Sequence, residues 1–311
     1  MSNQNKTHLI GAAILIILVL TSVSIFSNMD IVPEYQLSQN EVDNKEQIVL
    51  AVHPYDSPVE IARNFAPLIN YLSEHLGKTF VLSVSKSYEF HIDRIGKDQV
   101  DIAFLGPAVY TMISERFGKK NLLCSFDKDG SKNFYGYVIT RKDNPSTSLK
   151  DLEGKSFGCS SRQSTMGYIL PRYLFIQAGV PFPVTQLQIL KSHNNVCLNV
   201  LSGNINAGAI RENTYIKYKD RDLKVIATTP ALIDHTFLAT NRVDDETIFK
   251  IKEALLSINT KEDVERLLKP IKPSITSLRQ VEDKDFDMMR DILFAVQKDE
   301  RQTANNTEEL L

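Results

Sequence analysis

Short apolar runs alternate with longer helical segments from Ile48 onward, and this alternation restricts the fold more than any other feature of the chain. Ile48-Val49-Leu50-Ala51-Val52 is a continuous apolar run, as a strand covered on both faces must be, and it breaks at His53-Pro54-Tyr55-Asp56-Ser57-Pro58. Ile61, Phe65, Leu68, Ile69, Leu72 and Leu76 then recur at helical spacing up to Gly77, a stop signal. The pattern returns twice: Thr79 to Val84 precedes a helix through Ile95, and Val100 to Leu105 precedes a helix that Pro107 opens. Strands separated by such helices form βαβ units with parallel neighbours. Ligands of open sheets lie outside the carboxyl ends of the strands, so the loops at Tyr55, Tyr88 and Pro107 share one ligand edge.

Leu122 to Phe126 is a further strand, after which Asp129-Gly130-Ser131 turns the chain into a long strand, Phe134 to Thr140. A second βα series follows through Phe157, a helix after Ser164, Leu187 to Leu190, a helix His193 to Leu201, Asn206 to Ile210 and Val225 to Ala227. His235 to Thr240 fits a return crossing, and the remainder is helical. The expected fold class is α/β with two lobes, each a mainly parallel sheet flanked by helices, joined by two crossing strands. Residues 47–135 with 236–311 would form one lobe and 136–235 the other; 311 residues suffice for a core in each.

Ahead of this body, Leu9 to Phe26 is almost uninterruptedly apolar behind Lys6, which predicts an export signal or a membrane anchor over residues 1–28. Residues 29–46 are polar and aperiodic, as a tether would be. Either reading places the body outside the cytoplasm, in the periplasm, and an uncleaved segment would hold it to the inner membrane. Cys124, Cys159 and Cys197 are odd in number and scattered, which suits small buried hydrophobes better than a disulfide framework. The formal net charge of -2, with no basic stripe, excludes nucleic acid as a general partner. His53, His75, His91, His193 and His235 lack His-x-x-x-His spacing, so neither a metal nor another cofactor is expected.

The stretch Ser160-Ser161-Arg162-Gln163-Ser164-Thr165-Met166-Gly167 follows a strand and opens a helical segment, gathering hydroxyls and free backbone N–H groups at one corner. Such a corner stabilises an anion without a cationic side chain, although Ser164 there also reads simply as a helix cap. Pro171 stands too far along to open that helix, which predicts a kinked first turn or a later start.

Asp101 to Tyr110, Leu149 to Phe157, Ser164 to Pro171, His193 to Val196 and Val200 to Ala209, in that order, resemble the phosphate/phosphite/phosphonate-binding subunits of bacterial ABC importers. The resemblance spans roughly Ile48 to Lys269 and implies a type II periplasmic binding protein, not an enzyme. Such a protein closes on a small oxyanion and serves an ABC permease; this chain is expected to act as a monomer. The family's anion seat, Ser-Thr-Ser-Gly, lands on Ser164, Thr165, Met166 and Gly167, with Met166 in place of a hydroxyl. His193 matches the family's pocket histidine, Tyr88 its first-lobe phenol, and Tyr110 lies at the helix start that would face the anion. A further tyrosine of the family aligns with Phe134, so Tyr135 would serve only after a one-residue shift, which would turn it to the opposite face. The carboxylates that hold the ammonium of aminoalkylphosphonates fall near Asn213 and His235, and neighbouring Glu212 and Asp234 read as solvated loop charges. Two other readings are open: a membrane-anchored sensor that signals to a kinase or cyclase, and a hydrolase using Ser164 and His193. The hydrolase lacks a Gly-x-Ser-x-Gly elbow and a third group to orient the histidine.

Overall fold

Residues 47–130 and 134–308 are described by a computed structural model; the export signal or anchor expected over 1–28 and the tether expected over 29–46 lie outside them. Among the described residues no helix is long and apolar enough to cross a membrane.

The apolar runs become strands β1 (Gln47–Val52), β2 (Thr79–Val84) and β3 (Ile102–Leu105), with β1 parallel to both neighbours. Between them run α1 (Pro58–Leu76), α2 (Tyr88–Gly96) and α3 (Pro107–Phe117). Helix α1 shows the local logic. Ser57 accepts a hydrogen bond from the Glu60 N–H, Pro58 occupies the first turn, and Gly77 ends the helix at φ 64°, in the left-handed region. Its buried face, Ile61, Phe65, Leu68, Ile69 and Leu72, gains about 1.5–3 kcal/mol per side chain against the sheet.

Strands β4 (Asn121–Asp127), β10 (Thr236–Ala239) and β11 (Ser277–Arg279) complete a six-stranded sheet in the order β11-β4-β10-β3-β1-β2. The second sheet, in the order β7-β6-β8-β5-β9, contains β5 (Gly136–Arg141), β6 (Phe157–Cys159), β7 (Leu187–Ile189), β8 (Ala207–Arg211) and β9 (Leu223–Thr228). The two-lobed α/β architecture is as expected, but both sheets are mixed. β10 runs antiparallel to β3 and β4, and β5 antiparallel to β8 and β9, because each crossing feeds a strand into its sheet against the local direction. The two crossings are tied together where Phe134 and Leu232 exchange backbone hydrogen bonds of 3.2 and 2.9 Å.

Helices α4 (Leu170–Gln177), α5 (His193–Leu201) and α6 (Glu212–Tyr218) belong to the second sheet's connections, and α7 (Asp245–Leu256) to the first lobe. The C-terminal helix α8 (Asp287–Glu308), grouped with the first lobe by its place in the chain, instead lays Met289, Ile292, Leu293 and Val296 into the second lobe's core beside Tyr168, Leu170 and Phe175. Buried Arg172 fixes it there by donating to Asp299 at 2.7 Å and to the Tyr168 hydroxyl at 2.6 Å. An amphipathic helix follows the apolar surface that matches it, whatever its position in the chain. All three cysteines are free and buried.

Candidate functional site

The carboxyl ends of six strands meet between the two sheets. β1 ends at His53 and Tyr55, β2 leads to Tyr88, and β3 to Gly106. From the other side β6 leads to Ser160 and the Ser164 corner, β7 to His193, and β8 ends at Arg211. Most of these side chains, with Phe134, Met166 and His235, line one small cavity; the space left between them is on the order of one water molecule.

The corner has a specific backbone. Ser164 caps it by accepting from the Gly167 N–H at 3.0 Å, and the next turn, Thr165–Ile169, is a π turn in which both Tyr168 and Ile169 donate to the Ser164 carbonyl. Pro171 then lies in the first turn of α4. Proline cannot donate to the carbonyl four residues back, so the wide turn ahead of it absorbs the mismatch. Gly167 is required by close approach: a Cβ there would lie 2.3 Å from the Ser160 oxygen and 2.8 Å from that of Ser164. Ser160 is buried, and its hydroxyl has no partner. The sequence counts this hydroxyl among those gathered at the corner, without giving it a role of its own.

The corner also meets the first lobe directly. The Thr165 hydroxyl accepts from the Ala108 N–H at 3.2 Å, so the α3 N-terminus and the corner face each other across the cleft. Burial raises the pKa of the Tyr88 phenol to about 12, with the Ser164 hydroxyl working against the rise. At the rim Asn194 donates to both carboxylate oxygens of Asp56, at 3.0 and 3.1 Å.

His193 lies with its Nε2 3.5 Å from the Ser164 oxygen. Burial, and then the Arg211 charge, push its pKa down to about 3. Its buried Nδ1 makes no hydrogen bond, the approach of the Ala209 backbone falling short of bonding geometry. Arg211 is the one charged side chain on this cavity. Its guanidinium stacks 4.3 Å over the Tyr55 ring, its buried Nε has no acceptor, and it forms no ion pair among the described residues. The Tyr55 hydroxyl is likewise buried without a partner. An unpaired guanidinium with an unsatisfied phenol beside it is costly unless something negative completes it.

An adjoining cavity is lined by Phe104, Phe126, Phe134, Ile271, Lys272 and Glu212. Here two sequence expectations are corrected. Asp234 and Glu212 are not solvated loop charges but buried groups. Asp234 pairs with Lys272 and accepts from His235 Nδ1 at 2.9 Å. Burial works to raise its pKa, but Lys272 and then His235 outweigh this and hold it down at about 2. Glu212 accepts from the Tyr135 hydroxyl at 2.6 Å.

Of the seven residues expected at the site, Ser164, Thr165, His193 and Tyr88 converge on the cavity, and Gly167 supplies the backbone that shapes it. Tyr135 does not line it; Phe134 does, and the neighbouring tyrosine faces the other way, reaching the cleft only through Glu212. Tyr110 does not join them either. It is fully buried on the far side of α3, with its hydroxyl donating to Asp283 at 2.8 Å and its ring 4.2 Å from that of Phe286. The helix phase carries Gly106 and Val109 to the cavity instead. Arg162, next to the corner, is exposed and donates to the Tyr168 hydroxyl at 3.1 Å rather than entering the cleft. His53, Tyr55, Arg211 and His235 line the cavity although they were not selected from the sequence. Tyr55 stood on the predicted ligand edge, and Arg211 could have been found as the residue ending the strand Ala207–Arg211. Among the described residues no three His, Cys, Asp or Glu side chains gather to hold a metal.

Known proteins resemble this chain in sequence and fold. A family model described as "ABC transporter, phosphonate, periplasmic substrate-binding protein" matches residues 50–286. The phosphate-import protein PhnD of Mycolicibacterium smegmatis is 24% identical over 225 residues, covering 67% of this chain and 70% of that protein. Among solved structures, a binding protein component of a Pseudomonas aeruginosa ABC phosphonate transporter superposes with a TM-score of 0.74 at 19% identity, covering 83% of this chain and 88% of the other. PhnD1 of Prochlorococcus marinus in complex with methylphosphonate gives 0.72 at 18% identity, covering 81% and 98%. At such identities the superpositions speak for the fold.

Proposed function

This chain belongs to the family of periplasmic substrate-binding proteins of phosphonate ABC transporters, and from that premise we propose that it captures a small phosphorus oxyanion between its lobes and presents the closed form to an ABC permease. Phosphate, phosphite and short alkylphosphonates are the candidate ligands. The observation that carries this reading is the unpaired Arg211 guanidinium, stacked over Tyr55 with its unsatisfied hydroxyl, on the same cavity as the Ser164 cap. In such a pocket the oxyanion sits at the corner with Ser164, Gly167 and His193. A short organic substituent points past Phe134 into the cavity lined by Phe104, Phe126 and Ile271. Charge-assisted hydrogen bonds of about 1.5–3 kcal/mol each support micromolar or tighter binding after desolvation. Family membership places the protein outside the cytoplasm, and residues 1–28 would provide its route there and its hold on the inner membrane.

Hydrolysis by Ser164 and His193 is disfavoured by the geometry. The 3.5 Å separation is long, the serine oxygen is engaged as a helix cap, and no carboxylate orients the histidine through Nδ1. Calorimetry of the folded body against phosphate, phosphite, methylphosphonate and aminoethylphosphonate tests the proposal. Saturable binding of at least one is expected; no heat and no thermal shift with any of them would sink it.

A further inference from the structure

The two histidines on the first-lobe wall have their protons fixed by what lies behind them. His53 Nδ1 is 3.1 Å from the Phe104 carbonyl, which can only accept, so that nitrogen carries the hydrogen. His235 Nδ1 is 2.9 Å from a carboxylate oxygen of Asp234, which also accepts the His235 backbone N–H at 2.7 Å. Asp234 is in turn paired with Lys272 and is therefore an ionised acceptor. Assigned in this way, both rings keep a bare lone pair on Nε2. They stack 5.3 Å apart with planes inclined by 11°, and both line the cavity beside Ser164 and Thr165. His235 Nε2 lies near the Gly106 backbone on that side, and no hydrogen bond reaches either Nε2 among the described residues.

We propose that the cleft takes its phosphorus oxyanion in the singly charged, protonated form, the ligand's P–OH donating to His235 Nε2 with His53 Nε2 as the neighbouring acceptor. This rests on the phosphorus-oxyanion reading above. The charges around the site agree. Arg211 is the one charged side chain lining the cavity at the anion corner, Lys272 is taken up by Asp234, and the buried carboxylate of Glu212 on the adjoining cavity adds negative charge. One guanidinium matches one negative charge. A dianion would leave a second charge uncompensated in a buried site and press oxygen lone pairs against imidazole lone pairs.

Protonating the rings does not remove this mismatch. His235 faces Asp234, which favours its charge, and Lys272, Arg211 and His53, which oppose it; burial is the largest influence and lowers its pKa. His53 faces His235, His91 and Arg211 together with the neutral phenols of Tyr55 and Tyr88, and its pKa is well below the ordinary value, first through burial.

Two consequences follow for selectivity. A sulfonate has the shape and charge of the phosphonate monoanion but no proton to give, so the same acceptors reject it. Above the ligand's second ionisation, binding must take up a proton.

Calorimetry on the folded protein reads both. Methylphosphonate is titrated on either side of its second ionisation in buffers of different ionisation heat, and methanesulfonate is titrated in parallel. Expected are uptake of one proton per ligand on the alkaline side, an apparent affinity falling about tenfold per pH unit there, and a preference over methanesulfonate of at least about 100-fold. His235→Phe, which keeps the ring stack but has no acceptor, is expected to narrow that preference to within about tenfold. A melting curve checks its fold, and the wild-type titrations decide the matter whether or not it folds. Affinity indifferent to the second ionisation, without proton uptake, or equally tight methanesulfonate overturns this inference while leaving the phosphorus ligand intact. Failure of methylphosphonate, phosphite and phosphate alike to bind overturns the underlying reading and this inference with it.

Discussion

The two walls of the cleft differ in hydrogen-bonding sense. The second-lobe wall, built from the Ser164 corner and Arg211, offers donors: hydroxyls, backbone N–H groups and an unpaired guanidinium. The first-lobe wall adds the Tyr55 hydroxyl but also two imidazoles whose Nδ1 hydrogens are already given to Phe104 and Asp234, leaving their Nε2 atoms as acceptors toward the ligand. A cleft whose donors are joined, on one side only, by two acceptors selects for an anion that still carries a proton, and neither wall would show this alone.

The largest expected effect breaks the acceptor wall. Asp234→Ala leaves Lys272 buried without its carboxylate and frees the His235 ring to turn, costing about 3–5 kcal/mol of stability in chemical denaturation. On the donor wall, Arg211→Met lowers oxyanion affinity about 100-fold in calorimetry. It leaves the melting temperature unchanged or higher, because the guanidinium Nε has no acceptor to lose.

Acid acts on the buried imidazoles, three of them on the cavity and His91 behind His53. His91 and His193 are held at about 3, below the ordinary 6.5, first by burial, and His53 and His235 are lowered for the same first reason. The unfolded chain therefore binds more protons than the folded one from about 6.5 down toward 3. Stability is retained above that window and lost as pH falls through it. Asp234, depressed from 3.8 to about 2, adds a further loss only below 3.8. Melting scans at successive pH values should fall by about 2–4 °C for each kcal/mol lost, and a melting temperature flat from neutral pH to pH 4 would contradict the buried neutral histidines.

A pair of serine variants sharpens the donor side. Ser164→Ala removes a cap worth about 1 kcal/mol as well as a ligand contact, whereas Ser160→Ala removes only an unpartnered hydroxyl. Both should weaken binding by about fivefold to tenfold, but only the first should lower the melting temperature. Smallest of all is Tyr110→Phe. It loses its bond to Asp283, about 1 kcal/mol, and should leave affinity within about twofold.

The sequence made the strand ends legible and the far side of each element less so. Continuous apolar runs and caps announce β1 to β3 and their helices because both signals are local. The Ser164 corner was readable for the same reason, as a cap and its glycine lie within four residues. Tyr110 was misplaced because one turn of helix decides which face is ligand and which is core, and only the packing of Phe286 and Asp283 settles it. His235 and Arg211 could not be weighed without their neighbours. What makes His235 an acceptor is Asp234 paired to Lys272, a residue 38 positions away, and what frees Arg211 is the lack of a carboxylate against it. Helix α8 eluded chain order for a similar reason, since the surface that matches its apolar face belongs to the other lobe.

The most direct measurement is a crystal structure of the folded protein with methylphosphonate. The phosphonate oxygens are predicted to lie within hydrogen-bond reach of Ser164, Ser160 and Arg211 on one wall and of His235 Nε2 on the other, with the methyl group toward Phe134. A phosphonate bound elsewhere, or one that leaves the Arg211 guanidinium uncontacted, would contradict this assignment of the cleft.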